Sequence, residues 1–192
     1  MSFSTLIQQL KKWLLQSQHA TAHRNADIAI AVDEESQIAV ATDTLQVSPQ
    51  GRELICTFEG LALTAYDDGT GCWTIGYGTT RYPDQTPVKA FDTCSVQQAN
   101  SYMQHDLQKF ENAVNHAVQV MLNQNQFDAL VSLSYNIGIN AFKNSTLLRN
   151  LNAANYQKAA EQFDVWVYAS GKRMQGLINR RAVERALFEK RI

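Results

Sequence analysis

Between residues 48 and 80 the chain passes from a helical pattern into a stretch crowded with turn glycines, and that change limits the folds open to it. Ser48-Pro49 offers an N-cap followed by proline at the first helical position. Leu54, Ile55 and Phe58 then give one buried stripe, and Gly60 suits a C-terminal stop. Glycines at 69, 71, 76 and 78 follow between aromatic and β-branched residues, which predicts a small hairpin sheet over 63–80. Thr93 or Ser95 can cap a long helix over about 96–118, with further helices near 123–138, 144–151, 155–168 and 179–190. This order makes an α+β fold, in which the long helix joins a small β-hairpin lobe to a larger helical lobe across a cleft.

The same stretch, FEGLALTAYDDGTGCWTIGYGTT, concentrates reactive groups. Glu59 stands in the last turn of a helix, Asp68 nine residues on, and Thr74 six beyond that. Hydrolysis of a glycosidic bond needs one carboxyl to protonate the leaving oxygen and another to activate water or attack the sugar. These residues can supply both from opposite walls of a cleft. A general acid must keep its proton near neutral pH. The negative end of a helix and apolar neighbours such as Phe58 favour that, whereas a nearby arginine opposes it. Asp67 and Asp68 followed by glycine read equally well as turn formers, and Thr74 alone as an ordinary strand residue.

The spacing resembles the E-x8-D-x5-T triad of the phage-type lysozymes, the endolysins of glycoside hydrolase family 24. LNQNQFDALVSLSYNIGINAF, STLLRNLN and GLINRRAVERALF resemble the helical half of its lambdoid-phage branch. The resemblance covers roughly residues 48–190 and implies a muramidase. Such an enzyme cleaves the β-1,4 bond between N-acetylmuramic acid and N-acetylglucosamine of peptidoglycan by inversion, with carboxyls roughly 6.5–9.5 Å apart. It selects Asp68 over Asp67 to hold a water, gives Thr74 the task of orienting it, and has one of the Arg180–Arg181 pair, Arg181, reach Glu59. It also makes Asn136, in SYNIG, a candidate for binding an acetamido group, against a helix cap or a satisfied amide. Gly76, Tyr77 and Arg181 join it as substrate-binding candidates, the glycines allowing close approach to a sugar chain, although turn glycines are common for structural reasons alone. A non-catalytic cell-wall-binding module is the rival class, and the intact triad argues against it.

Three cysteines, Cys56, Cys72 and Cys94, cannot all pair and read as free thiols. No cofactor is called for. His19, His23, His105 and His116 form no ligand cluster, so no metal is expected. The overall charge of −1 predicts no nucleic-acid partner, whereas seven Lys/Arg over 171–192 suggest a basic surface suited to an anionic polymer. Tyr135, Phe127, Leu130, Trp166, Phe163 and Leu187 are expected in the core. No run is long enough for a membrane span and no signal peptide is visible, so synthesis in the cytoplasm is expected, with action on the wall after release or delivery. That setting fits a holin-released endolysin, or a lysozyme toxin delivered by a secretion machine.

Residues 1–46 read as an N-terminal extension of unknown role before a catalytic domain over 47–192. Phe3, Leu6, Ile7, Leu10 and Leu14 share a helical face, and 26–42 carry a weak hairpin signal in which intervening alanines leave a helix open.

Overall fold

The computed structural model describes residues 44–69 and 71–190, which belong to a compact unit beginning at Thr42. The readings over residues 3–16 and 26–42 lie outside the described residues.

Helix α1 (Pro49–Glu59) starts as the sequence predicts: the Ser48 hydroxyl accepts from Gly51 N, Pro49 occupies the first turn, and Gly60 caps the far end. Its start is also anchored from a distance. Ser48 donates both its backbone N–H and its hydroxyl to the buried carboxylate of Asp128. Strands β1 (Ala62–Asp67) and β2 (Trp73–Gly76) form the antiparallel hairpin, with Tyr66 opposite Thr74 and Asp67 opposite Trp73. Ala65, Ile75, Val88 and Cys94 bury a small core against Ala99, with Trp73, Tyr77, Tyr82 and Tyr102 packed around it.

Ala99 and Tyr102 belong to α2 (Val96–Ala117), which opens with a reciprocal Ser95–Gln98 capping box. At 22 residues it is about 33 Å long, enough to run from the hairpin core into the helical one. The helical core centres on α3 (Gln124–Ile137), buried without a break from Phe127 to Ser134. Around it lie α4 (Ile139–Lys143), α5 (Thr146–Asn152), α6 (Tyr156–Glu161) and α7 (Gln175–Glu189), with α7 the principal partner of α3. Among the described residues no helix is long and apolar enough to cross a membrane.

Two predicted elements are corrected. The helix expected over 155–168 stops at Glu161, tightens into a 3-10 turn over Gln162–Val165, and gives way to a hairpin of β3 (Tyr168–Ala169) and β4 (Lys172–Arg173). The last helix therefore begins at Gln175 rather than 179. Of the expected core residues, Phe127, Leu130, Phe163 and Leu187 are buried, whereas Trp166 and Tyr135 are only partly so.

Candidate active site

Glu59 ends α1 with its side chain 21% exposed, and its nearest charged partner comes from α7. Arg180 Nη1 donates to Glu59 Oε1 at 2.6 Å, while the same guanidinium donates through Nη2 to the Ser132 carbonyl and through Nε to Glu184 Oε1 at 3.0 Å. It also lies 5.0 Å from the centre of the Phe58 ring. Glu184 is fully buried and accepts from the Ser132 hydroxyl at 2.7 Å. One buried arginine thus serves two carboxylates, and its positive charge is divided between them.

The expectation that Arg181 reaches Glu59 is overturned. Arg181 has no exposed surface and points the other way around the helix, donating to Asn136 Oδ1 at 2.8 Å. Its Nε lies 3.0 Å from Glu184 Oε2, an ion pair without hydrogen-bond alignment, since neither atom has a hydrogen-bond partner. Burial brings the Arg181 guanidinium down to about 10, opposed by Glu184 and reinforced by Arg180, which leaves it charged at neutral pH. Arg181 therefore presents no surface to a substrate in this structure. Asn136 itself is exposed, with its amide oxygen already committed to that arginine.

A cavity of about 620 Å³ opens beside Glu59. Gly78, Thr80 and Arg81 wall it on the hairpin side, and His105, Lys109 and Tyr135 on the helical side. Tyr135 donates to the Tyr77 carbonyl at 3.1 Å, and burial, reinforced by the charge of Glu59, holds its phenol well above the usual range. Tyr135 was assigned to the core from sequence. It lines the site because it lies at the margin of the buried stripe of α3, a position that helical periodicity does not resolve.

Asp68 and Thr74 both bond the backbone of one hairpin residue, Cys72. Asp68 Oδ1 accepts from Cys72 N at 3.4 Å, and the Thr74 hydroxyl donates to the Cys72 carbonyl at 3.5 Å. Both contacts are long, so a water could replace them at small cost. Thr74 is 5% exposed and Asp68 lies at the surface. Asp67 is committed elsewhere: its Oδ1 accepts from the backbone N–H of Gly69 and Gly71 at 2.9 and 3.1 Å, closing the turn.

Gly76 is buried at φ 66°, and a Cβ there would lie 3.4 Å from Ala99 Cβ, so β2 needs glycine to pack on α2. Packing accounts for this glycine. Gly78, at φ 105°, is exposed and lines the cavity. The Tyr77 side chain lines a second cavity of about 490 Å³ with Cys56, away from the one beside Glu59. All three cysteines are free, and burial pushes the Cys56 thiol up to about 11. Three of the seven cations expected to make a basic surface over 171–192 are taken up, because Arg180 and Arg181 are buried and Arg185 pairs with Asp164 and Glu189, whereas Lys172 and Arg173 are exposed.

Comparison with known proteins identifies relatives of this chain. Residues 56–184 match the family model described as phage lysozyme. The endolysin of Salmonella phage P22 is 44% identical over 144 residues, covering 75% of this chain and 98% of that protein. The endolysin of Bacillus phage PZA is also 44% identical, but the chain spans only 55% of its length. Among solved structures, the muramidase domain of SpmX from Asticaccaulis excentricus superposes with a TM-score of 0.70 at 37% identity, covering 76% of this chain and 99% of that one. A family match across Glu59, the hairpin, the long helix and Glu184, on a fold shared with a muramidase domain, leads to one assignment: the chain belongs to the phage lysozyme family.

Proposed function

We propose that Glu59, Asp68 and Thr74 carry hydrolysis of the β-1,4 bond between N-acetylmuramic acid and N-acetylglucosamine in bacterial peptidoglycan, with inversion at the anomeric carbon. Membership of the family makes the chain a peptidoglycan hydrolase of the endolysin kind. The roles of individual residues are our reading. The observation that carries it is the environment of Glu59: partly buried, at the edge of a cavity large enough for sugar rings.

In this reading Glu59 gives its proton to the leaving oxygen, and Arg180 stabilises the carboxylate that remains. Asp68 accepts a proton from the attacking water, and the Thr74 hydroxyl orients that water. Their long contacts to Cys72 can be exchanged for it without unfolding the hairpin. Asn136, with its oxygen held by Arg181, presents its amide N–H groups to an acetamido oxygen. Relatives named endolysin favour host lysis as the setting, with holin-dependent release from the cytoplasm. A neighbouring immunity gene would instead favour delivery by a secretion machine.

Glu59→Gln tests the central role. Release of reducing ends from purified peptidoglycan should fall by about 10²–10⁴ while circular dichroism stays native. Near-normal turnover by folded variant would remove Glu59 from the mechanism. The anomer first formed, read by NMR, tests inversion.

A further inference from the structure

The second cavity, of about 490 Å³, shares no lining residue with the one beside Glu59. It lies between α1 and the first half of α2, two helices that scarcely touch. From α2 it is lined by Gln97, Asn100, Ser101 and Gln104, which stand at i, i+3, i+4 and i+7 and so form one row. All four are exposed, and none of their side chains makes a hydrogen bond among the described residues. The mechanism above uses none of them.

The chemistry of the lining narrows the ligand. Arg52 and Glu53 bring one charge of each sign from α1, which leaves no net charge to hold an ion. Tyr77 and Cys56 add none at neutral pH. Burial, with the thiol beside it, holds the Tyr77 phenol above its usual range, and burial pushes the Cys56 thiol up to about 11. An apolar ligand would strip water from the amides and give nothing back. What remains is a neutral molecule rich in hydroxyl and amide groups. The row also has a matching repeat: successive turns on one helix face are about 5.4 Å apart, close to the rise per ring of a β-1,4-linked sugar chain. From Gln97 to Gln104 it extends about 10 Å, the length of two rings. We infer that this cavity binds a strand of N-acetylated glycan, as an anchoring site apart from the bond that is cut. The choice of polymer rests on the muramidase reading above. Each amide–sugar hydrogen bond replaces one to water, so the site is weak by itself. A second contact on the same polymer nevertheless acts at high effective concentration and holds the enzyme on the wall.

The test uses the full chain and chitotetraose, the neutral β-1,4 tetramer of N-acetylglucosamine. A titration followed by NMR should shift the side-chain amide signals of Gln97, Asn100 and Gln104. In Asn100→Ala/Gln104→Ala the Kd of that site should rise by at least about fivefold, the loss of two hydrogen bonds. Alanine suits exposed helix positions, so the melting temperature should hold. The same variant should lose about three- to tenfold in kcat/KM on intact sacculi, through KM, and nothing on a soluble fragment too short to reach both cavities. Amide signals unmoved by chitotetraose overturn the site, as does an equal loss, or no loss, on both substrates. Shifts caused by the peptide stem alone and not by the tetramer would assign the cavity to peptide, and would also overturn it. Shifts that follow protein concentration without sugar would assign it to a second copy of the chain, with the same result. Should wild type release no reducing ends from sacculi, the muramidase reading fails by itself, and the titration still decides this cavity.

Discussion

In the proposed mechanism two adjacent aspartates divide the work of the hairpin between shape and chemistry. Asp67 accepts two turn N–H groups and closes the turn, whereas Asp68 accepts from Cys72 N at the surface. Asp68→Asn should therefore depress turnover far more than Asp67→Asn, and Asp67→Asn should cost more thermal stability than Asp68→Asn. Assays on one batch of cell walls beside melting curves check both, and the reverse order of activities would exchange their roles. Cys56 gives a pH test. With its thiol pushed up to about 11, alkylation by iodoacetamide should be slow at pH 7 and rise about tenfold per pH unit until it levels near that value. A rate already level at pH 8, followed by peptide mapping, would contradict the burial seen here. Glu59, Asp68 and Thr74 could be nominated from sequence because their spacing is local. Arg180 was not distinguishable from Arg181, since neighbours on a helix point about 100° apart and only the packing of α7 on α3 decides which one faces Glu59.

At the scale of elements, caps and turn glycines carried the reading. Ser48-Pro49, Gly60 and the Ser95–Gln98 box mark real helix ends. The β3–β4 hairpin escaped because Trp166, Val167 and Tyr168 extend an apolar pattern, and two-residue strands leave little alternation to detect. The anchoring of α1 also could not be read, because Ser48 and Asp128 lie eighty residues apart in sequence. That contact is tightly fitted: a Cβ on Gly51 would lie 2.5 Å from Asp128 Cγ. Gly51→Ala should destabilise the fold by about 1–3 kcal/mol, a loss of roughly 2–4 °C in Tm for each kcal/mol. An unchanged Tm would mean that the Asp128 side chain can step aside.

For the whole molecule, the order of one helix, one hairpin and a bundle was enough to recover the architecture, and family resemblance supplied the chemistry. The sequence alone was less informative about where the compact unit starts. Leu45 exchanges two hydrogen bonds with the Asn115 side chain, and Val47 N donates to Glu111 Oε1. We propose that residues 1–46 are an appendage to the enzyme, with those lead-in contacts needed for stability. A chain starting at residue 42 should retain both melting temperature and specific activity, whereas one starting at Pro49 should melt lower. Lost hydrolysis by a folded 42–192 protein would make the earlier residues part of the enzyme.

One joint in the backbone gives the pieces a mechanical relation. α1 is pinned at its start by Asp128 on α3 and at its end by Arg180 on α7. Glu59 therefore rides on the helical body, while Asp68 and Thr74 ride on the hairpin and its own small core. Only Gly60 and Leu61 separate the last residue of α1 from the first of β1. In the proposed mechanism, rotation there would swing Asp68 and Thr74 against Glu59, making the distance between the two carboxylates an adjustable gap rather than a constant of the fold.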